Sequence, residues 1–188
     1  MFNWESLEQA CLQCTKCDLC KGRTNVVFGV GNQEADILFI GEGPGEQEDL
    51  QGIPFVGPAG KLLDDMMSII DLDRTKVYIA NIVKCRPPLN RDPQEEEQEA
   101  CIGYLRNQVA LLHPKIIICL GRIAAKKVID PDFKITRDHG AWVCRNGVWM
   151  TAIYHPSALL RDLSKRPETF EDLLEIRSKI EQLQIDIT

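Results

Sequence analysis

Short apolar runs alternate with amphipathic stretches along this chain of 188 residues, and this alternation is the feature that most restricts its fold. Four apolar runs are typical of buried strands: residues 37–40, 77–80, 115–120 and 148–154. Helices are predicted near residues 62–70, 92–112, 122–129 and 167–184, the second with Asp92 as N-cap and Pro93 as its first residue. The alternation predicts an α/β fold, a three-layer αβα sandwich with a central, mostly parallel four-stranded sheet.

Composition favours a single domain over residues 1–188 and excludes several classes of protein. With 44% hydrophobic residues the chain can bury one good core. It has no apolar run of about 18 residues and no secretory signal pattern at its start, so we expect a cytoplasmic protein without membrane association. In that reducing compartment its eight cysteines are not expected to form disulfides.

The net charge of −6 argues against a nonspecific nucleic-acid binder. The charge is unevenly distributed, however. Lys84, Arg86 and Arg91 cluster within one proline-rich loop, and residues 161–166 hold a second basic group. The uneven charge is therefore compatible with a local basic face on an acidic body.

Unusual residues follow three of the predicted strands, where α/β sheets bind ligands. A glycine-rich loop over residues 41–49 follows the first, Asn81 ends the second and His155 follows the fourth. The loop is rich in carboxylates, so it suits a neutral ligand or a polarised water better than a phosphate. Asn81 matches an amide or imide edge, and His155 could stabilise charge on a leaving group. Each could instead be structural, just as Phe55 is either core or a stacking platform for a flat ring.

Two widely separated cysteine pairs, Cys14 with Cys17 and Cys85 with Cys101, indicate one metal centre. The N-terminal segment 11–20 also carries Cys11 and Cys20, a spacing that resembles local iron-sulfur ligation but lacks its usual final gap and proline. Zinc is the competing metal, although the 15-residue gap between Cys85 and Cys101 is not a zinc knuckle. Iron-sulfur is the preferred interpretation.

Five segments in order resemble the family 4 uracil-DNA glycosylases, the iron-sulfur members of the uracil-DNA glycosylase superfamily. They are residues 23–29, 41–49, 54–57, 81–88 and 155–157, within a resemblance that covers about residues 14–161. The resemblance implies a DNA repair enzyme that flips deoxyuridine out of DNA and hydrolyses its N-glycosidic bond. It also implies a [4Fe-4S] cluster on Cys14, Cys17, Cys85 and Cys101.

The resemblance also implies roles for individual residues. Glu42 would position the attacking water and His155 would stabilise the departing uracil anion. Phe55 would stack on uracil, Asn81 would read its N3 and O4 edge, and Glu48 would exclude the thymine methyl group. The full set expected to bind substrate is Gly41, Glu42, Gly43, Glu48, Phe55, Asn81 and His155.

Uracil-containing DNA is the expected partner of a monomeric protein. The residues expected to contact DNA are Lys84, Arg86, Arg91, Leu159 and Arg161, with Leu159 or Leu160 as a wedge in the gap left by the flipped base. Two other classes stay open: an iron-sulfur electron-transfer protein and a noncatalytic, metal-stabilised DNA-binding module. Neither of them requires Asn81 and His155 at strand ends.

Overall fold

A mostly parallel sheet of six strands forms the centre of the computed structural model, which describes residues 2–187. The strands are β1 Val30–Gly31, β2 Ile37–Gly41, β3 Tyr78–Asn81, β4 Ile116–Leu120, β5 Val143–Arg145 and β6 Val148–Ile153. Their order is β1-β3-β2-β4-β6-β5, with β3, β2, β4 and β6 parallel and the two short edge strands antiparallel. The four predicted strands are therefore confirmed, and two edge strands are added to them.

Helices cover both faces of this sheet, as the sandwich prediction requires. Those of the described chain are α1 Trp4–Leu12, α2 Leu19–Gly22, α3 Glu46–Gln51, α4 Pro58–Ile69, α5 Glu95–Leu112, α6 Arg122–Val128, α7 Ile135–Asp138, α8 Pro156–Arg161 and α9 Arg166–Gln182. Leu38 of β2 belongs to the same core cluster as side chains of α1, α5 and α6. Its neighbour Phe39 belongs to the opposite cluster with α4, α8 and α9, because successive strand residues face opposite sides. Within residues 2–187 no helix is long and apolar enough to cross a membrane.

Helix α5 begins two residues later than predicted, at Glu95 in place of Pro93. The backbone N–H of Gln94, the N-cap, donates to the Glu97 carboxylate at 2.8 Å. Gln94 and Glu97 form a capping box, which fixes the start of the helix at Glu95. Asp92, the predicted N-cap, pairs with Arg122 instead, which leaves its carboxylate beside the carboxyl edge of the sheet.

The four parallel strands all end at the same edge of the sheet. Gly41 and Asn81 are register partners at the ends of β2 and β3. The pairing continues into the loops, since the Val83 N–H donates to the Glu42 carbonyl at 3.1 Å. His155 follows β6 on the same edge, so residues distant in sequence meet there.

Candidate active site

A cleft of about 620 Å³ opens at the carboxyl edge of the sheet. The loops after β2, β3, β4 and β6 all contribute to it. Six of the predicted substrate residues line it: Glu42, Gly43, Glu48, Phe55, Asn81 and His155. The seventh, Gly41, lies against two of them, because a Cβ on Gly41 would stand 2.6 Å from Cζ of Phe55 and would also meet Oδ1 of Asn81. The structure thus brings the predicted set together.

Asn81 presents an unpaired hydrogen-bond acceptor to this cleft. Its side chain is buried, and its Oδ1 has no partner among the described residues. Leaving a buried polar atom unpaired costs about 1–3 kcal/mol. The position is therefore suited to a ligand that brings an N–H group to Oδ1.

The backbone of Phe55 has a strained conformation, which sets the position of its ring. Phe55 has a positive φ of 54°, which is uncommon outside glycine. Arg74 holds the turn by donating to the Pro54 carbonyl at 2.9 Å and to the Phe55 carbonyl. Gly60 lets helix α4 lie close to the Phe55 backbone, because a Cβ at position 60 would overlap the Phe55 carbonyl. The Phe55 ring lies 5.6 Å from the His155 ring, tilted by 32°.

His155 is arranged as a neutral hydrogen-bond donor. Its Nδ1 accepts the Ser157 backbone N–H at 3.1 Å, which caps α8. A neutral ring with Nδ1 as acceptor carries its proton on Nε2. Desolvation, together with the nearby Arg161 charge, lowers the pKa of His155 to about 4. The imidazole is therefore uncharged at neutral pH.

Glu42 lies in a setting that disfavours its charged form. Desolvation and the neighbouring Asp92 carboxylate raise the pKa of Glu42 to about 7, while Arg122 and Arg161 act in the opposite direction. Arg122 also pairs directly with Asp92. A carboxyl group with a pKa near 7 can act as a base at physiological pH.

The carboxylate of Glu48 forms hydrogen bonds with the turn that contains Phe55. Its Oε1 accepts the backbone N–H groups of Val56 at 2.9 Å and Gly57 at 3.0 Å. These bonds fix Glu48 beside the aromatic ring. Its role in excluding the thymine methyl group stays a prediction.

Sequence reasoning missed Arg74, Gly60, Asp92 and Arg122. Arg122 follows β4, a strand end that carries no unusual residue type and was therefore not singled out. Asp92 had a simpler interpretation as a helix cap. Arg74 acts through backbone carbonyls, which leave no trace in the sequence pattern.

The predicted cysteine ligands line a second cavity, between the N-terminal helices and the loop after β3. Cys14, Cys17, Cys85 and Cys101 all contribute, as do Cys11 and Cys20. Arg23 Nη1 donates to Cys85 Sγ at 3.3 Å, and the Lys84 backbone N–H donates to Cys101 Sγ at 3.3 Å.

Sulfurs that receive N–H donors are typical of iron-sulfur ligands. Within residues 2–187 no three Cys, His, Asp or Glu side chains form a group that could hold a metal ion. A four-iron cluster makes a different demand, since its four thiolates are spread over the cluster's irons. Four thiols that line one cavity, two of them with N–H donors, supply the ligand type that such a cluster takes.

Two of the predicted DNA contacts are wrong. Lys84 is only 1% exposed, and its ammonium donates to Gln108 Oε1 at 2.6 Å in the interior, so it cannot reach a phosphate. Leu159 is 2% exposed and packs in the core with α4 and α9. Leu160, the other wedge considered, is 43% exposed.

The three predicted arginines lie nearer to solvent. Arg91 and Arg161 line the cleft, and Arg161 is exposed. Arg91 donates to both carboxylate oxygens of Glu97, at 2.9 and 2.7 Å. Arg86 donates to Asn90 Oδ1 at 2.7 Å. These pairs order the proline-rich loop beside the cleft.

Comparison with known proteins gives a consistent family. The family model described as Uracil DNA glycosylase superfamily matches residues 28–176. The Type-4 uracil-DNA glycosylase of Archaeoglobus fulgidus is 47% identical over 184 residues, which are 94% of this chain and 92% of the relative. The Type-4 enzyme of Thermotoga maritima is 41% identical over 95% of both chains. That of Sulfurisphaera tokodaii is 42% identical over 94% of this chain and 84% of its own.

Proposed function

The chain belongs to the uracil DNA glycosylase superfamily, and from that membership we propose that it is a DNA repair glycosylase that hydrolyses the bond between uracil and deoxyribose. The observation that carries this proposal is the unpaired Asn81 Oδ1 in a cleft shared with Phe55 and a neutral His155. A base within a duplex is inaccessible to such a cleft, so the deoxyuridine is extruded into it.

Asn81 selects uracil through paired hydrogen bonds. Its Oδ1 accepts the uracil N3–H, and its amide N–H donates to O4. In that orientation of the amide, cytosine, which lacks the N3 proton and presents an amino group at position 4, would lose both bonds. A site built to hydrogen-bond one partner rejects the other strongly, because its buried groups are then left unpaired. Phe55 stacks on the uracil ring.

His155 stabilises the leaving group. As the C1′–N1 bond breaks, its electron pair passes to uracil and negative charge spreads to O2. The Nε2–H of His155 donates to that oxygen, an interaction that strengthens only as the charge develops. Because Nδ1 is occupied by Ser157, the donor orientation is set before substrate binds.

Glu42 orients the attacking water. In its ionised form it accepts one water proton while the water oxygen bonds to C1′, which produces the abasic site. The uracil anion then takes up a proton, and Glu42 returns the proton it accepted to solvent. Arg122 and Arg161 favour the ionised form that this step needs. Glu48 holds the Phe55 turn, and we keep for it the exclusion of the thymine methyl group.

A [4Fe-4S] cluster on Cys14, Cys17, Cys85 and Cys101 completes the proposal. When bound, it would act as a structural clamp that joins the N-terminal helices to the loop after β3. Arg86, Arg91 and Arg161 then contact phosphates from the two sides of the cleft. We further propose a monomeric, single-domain cytoplasmic protein that acts on uracil-containing DNA.

A strand-cleavage assay tests the function. Purified protein is incubated with a labelled oligonucleotide that contains one uracil, and alkali then cuts at any abasic site. After incubation with the wild type, alkali should cleave the strand at the uracil position. Asn81→Ala and His155→Ala should lower the rate of uracil release about 100-fold or more. The matched controls Asn107→Ala and His113→Asn, both away from the cleft lining, should retain activity. An intact strand with the wild type, or full activity in both site variants, overturns the proposal.

The absorbance spectrum separates the metals. An iron-sulfur cluster gives a brown protein with broad visible absorbance, whereas zinc, with its filled d shell, gives none. A colourless protein purified without oxygen would remove the cluster from the proposal and leave the glycosylase assignment to the strand-cleavage assay.

A further inference from the structure

Leu89 is the most exposed large apolar side chain among the described residues. It is 96% exposed, at the tip of the loop that joins β3 to α5. An isolated exposed leucine on a surface is ordinary. This one differs in that the surrounding backbone is strained and fixed.

The loop holds Leu89 in a conformation that apolar residues rarely adopt. Leu89 and Asn90 have consecutive positive φ angles of 54° and 55°. Strained backbone of this kind persists only when its surroundings impose it, and it is concentrated at functional sites. The Arg91 N–H donates to the Pro88 carbonyl at 3.1 Å, and the Arg86 side chain donates to Asn90 at 2.7 Å. The leucine is therefore presented on a rigid support.

That support forms one rim of the cleft. Pro87, Asn90 and Arg91, on both sides of Leu89 in sequence, all line the cleft that contains Asn81 and His155. The side chain itself is free in solvent. Of the two leucines predicted as wedges after His155, Leu159 is buried in the core and Leu160 is 43% exposed.

We propose that Leu89 enters the base stack of duplex DNA and fills the space left by the extruded deoxyuridine, an inference that rests on the proposed glycosylase function. Proteins that unstack DNA often insert an apolar side chain between bases. The inserted leucine would exchange contact with water for contact with base faces and would oppose the return of the flipped nucleotide. Arg86 and Arg91 flank it in sequence, and their side chains, which are 26% and 37% exposed, would meet the adjoining phosphates, Arg91 by exchanging its pair with Glu97.

Paired substrates test this role. Uracil release by Leu89→Ala is measured under single-turnover conditions on a duplex with one central uracil and on the same strand alone. We expect the duplex rate to fall about tenfold or more, while the single-strand rate stays within about twofold, because only the duplex has a stack to fill. A bulky pyrene nucleotide opposite the uracil, which occupies the vacated space, should restore the duplex rate of the variant. Thermal melting verifies that the variant is folded.

Control variants locate the effect. Leu174→Ala removes a leucine of α9 that is 46% exposed and outside the cleft lining, and it should leave both rates unchanged. Equal losses on both substrates, no loss on the duplex, or a duplex-specific loss in Leu160→Ala in place of Leu89→Ala would each overturn the inference. A wild type inactive on both substrates would instead refute the glycosylase function itself.

Discussion

The ionisation of Glu42 should govern the pH dependence of the reaction. The proposed mechanism needs the carboxylate, and desolvation with the Asp92 charge raises the pKa of this group to about 7. Below that pH the active fraction falls about tenfold per pH unit, so kcat/KM at pH 5 should be about one hundredth of its plateau. His155, with its pKa lowered to about 4, stays neutral over this range and adds no second limb.

Asp92→Asn provides the decisive perturbation. It removes the negative charge that faces Glu42 and frees Arg122, which pairs with Asp92 and also lies near Glu42. Both changes favour the Glu42 carboxylate, and Arg161 continues to favour it. Desolvation, the larger cause of the raised pKa, remains. The acid limb should therefore move to lower pH without reaching the ordinary value of a glutamate.

The assay is kcat/KM for uracil release between pH 5 and 9, since this parameter reports ionisations of the free enzyme. The measurement uses a single-stranded substrate at constant ionic strength. Glu42→Gln should lower activity and abolish the limb. A flat wild-type profile, a limb that persists in Glu42→Gln, or an Asp92→Asn limb at the wild-type pH would refute the reasoning.

Three further predictions concern the pocket and the metal centre. Asn81→Asp should lower uracil release and allow measurable cytosine release, because a carboxylate offers no donor to O4 and can accept a hydrogen bond from the cytosine amino group. Release of the two bases is measured from matched oligonucleotides. Unchanged selectivity between uracil and cytosine would contradict the prediction. Gly41→Ala should lower activity about tenfold or more, since its Cβ would stand 2.6 Å from Cζ of Phe55. The control Gly103→Ala, which has open space around it, should keep its activity. Equal activities of the two variants would mean that the pocket is not where uracil binds. Cys85→Ser should lose the visible absorbance and lower the melting temperature, while Cys144→Ser, at an exposed position, should do neither; retention of colour by Cys85→Ser would exclude it as a cluster ligand.

The sheet was largely predictable from sequence because buried parallel strands have continuous apolar runs. The four such runs became the four central strands. The edge strands Val30–Gly31 and Val143–Arg145 were not predicted, because strands of two or three residues show no period. The start of α5 moved to Glu95 because Glu97 caps the helix through Gln94, while Asp92 found a partner in Arg122.

The location of the candidate site could also be predicted, for a topological reason. Parallel strands end at one edge, so Asn81 and His155 had to approach one another if both followed parallel strands. The glycine-rich loop joined them for the same reason. The sequence therefore identified which residues share the cleft.

Side-chain direction and charge state were decided only by the tertiary structure. Lys84 and Leu159 have the residue types of DNA contacts, yet both turn inward, and Leu89 projects into solvent instead. The raised pKa of Glu42 depends on Asp92, which lies 50 positions away in the chain. Burial and electrostatic coupling arise from neighbours that folding brings together, whereas apolar periodicity is a property of contiguous residues. The sequence alone therefore determined the layers of the fold and the residues at the strand ends, and the packed chain determined which of their neighbours face solvent and which carry charge.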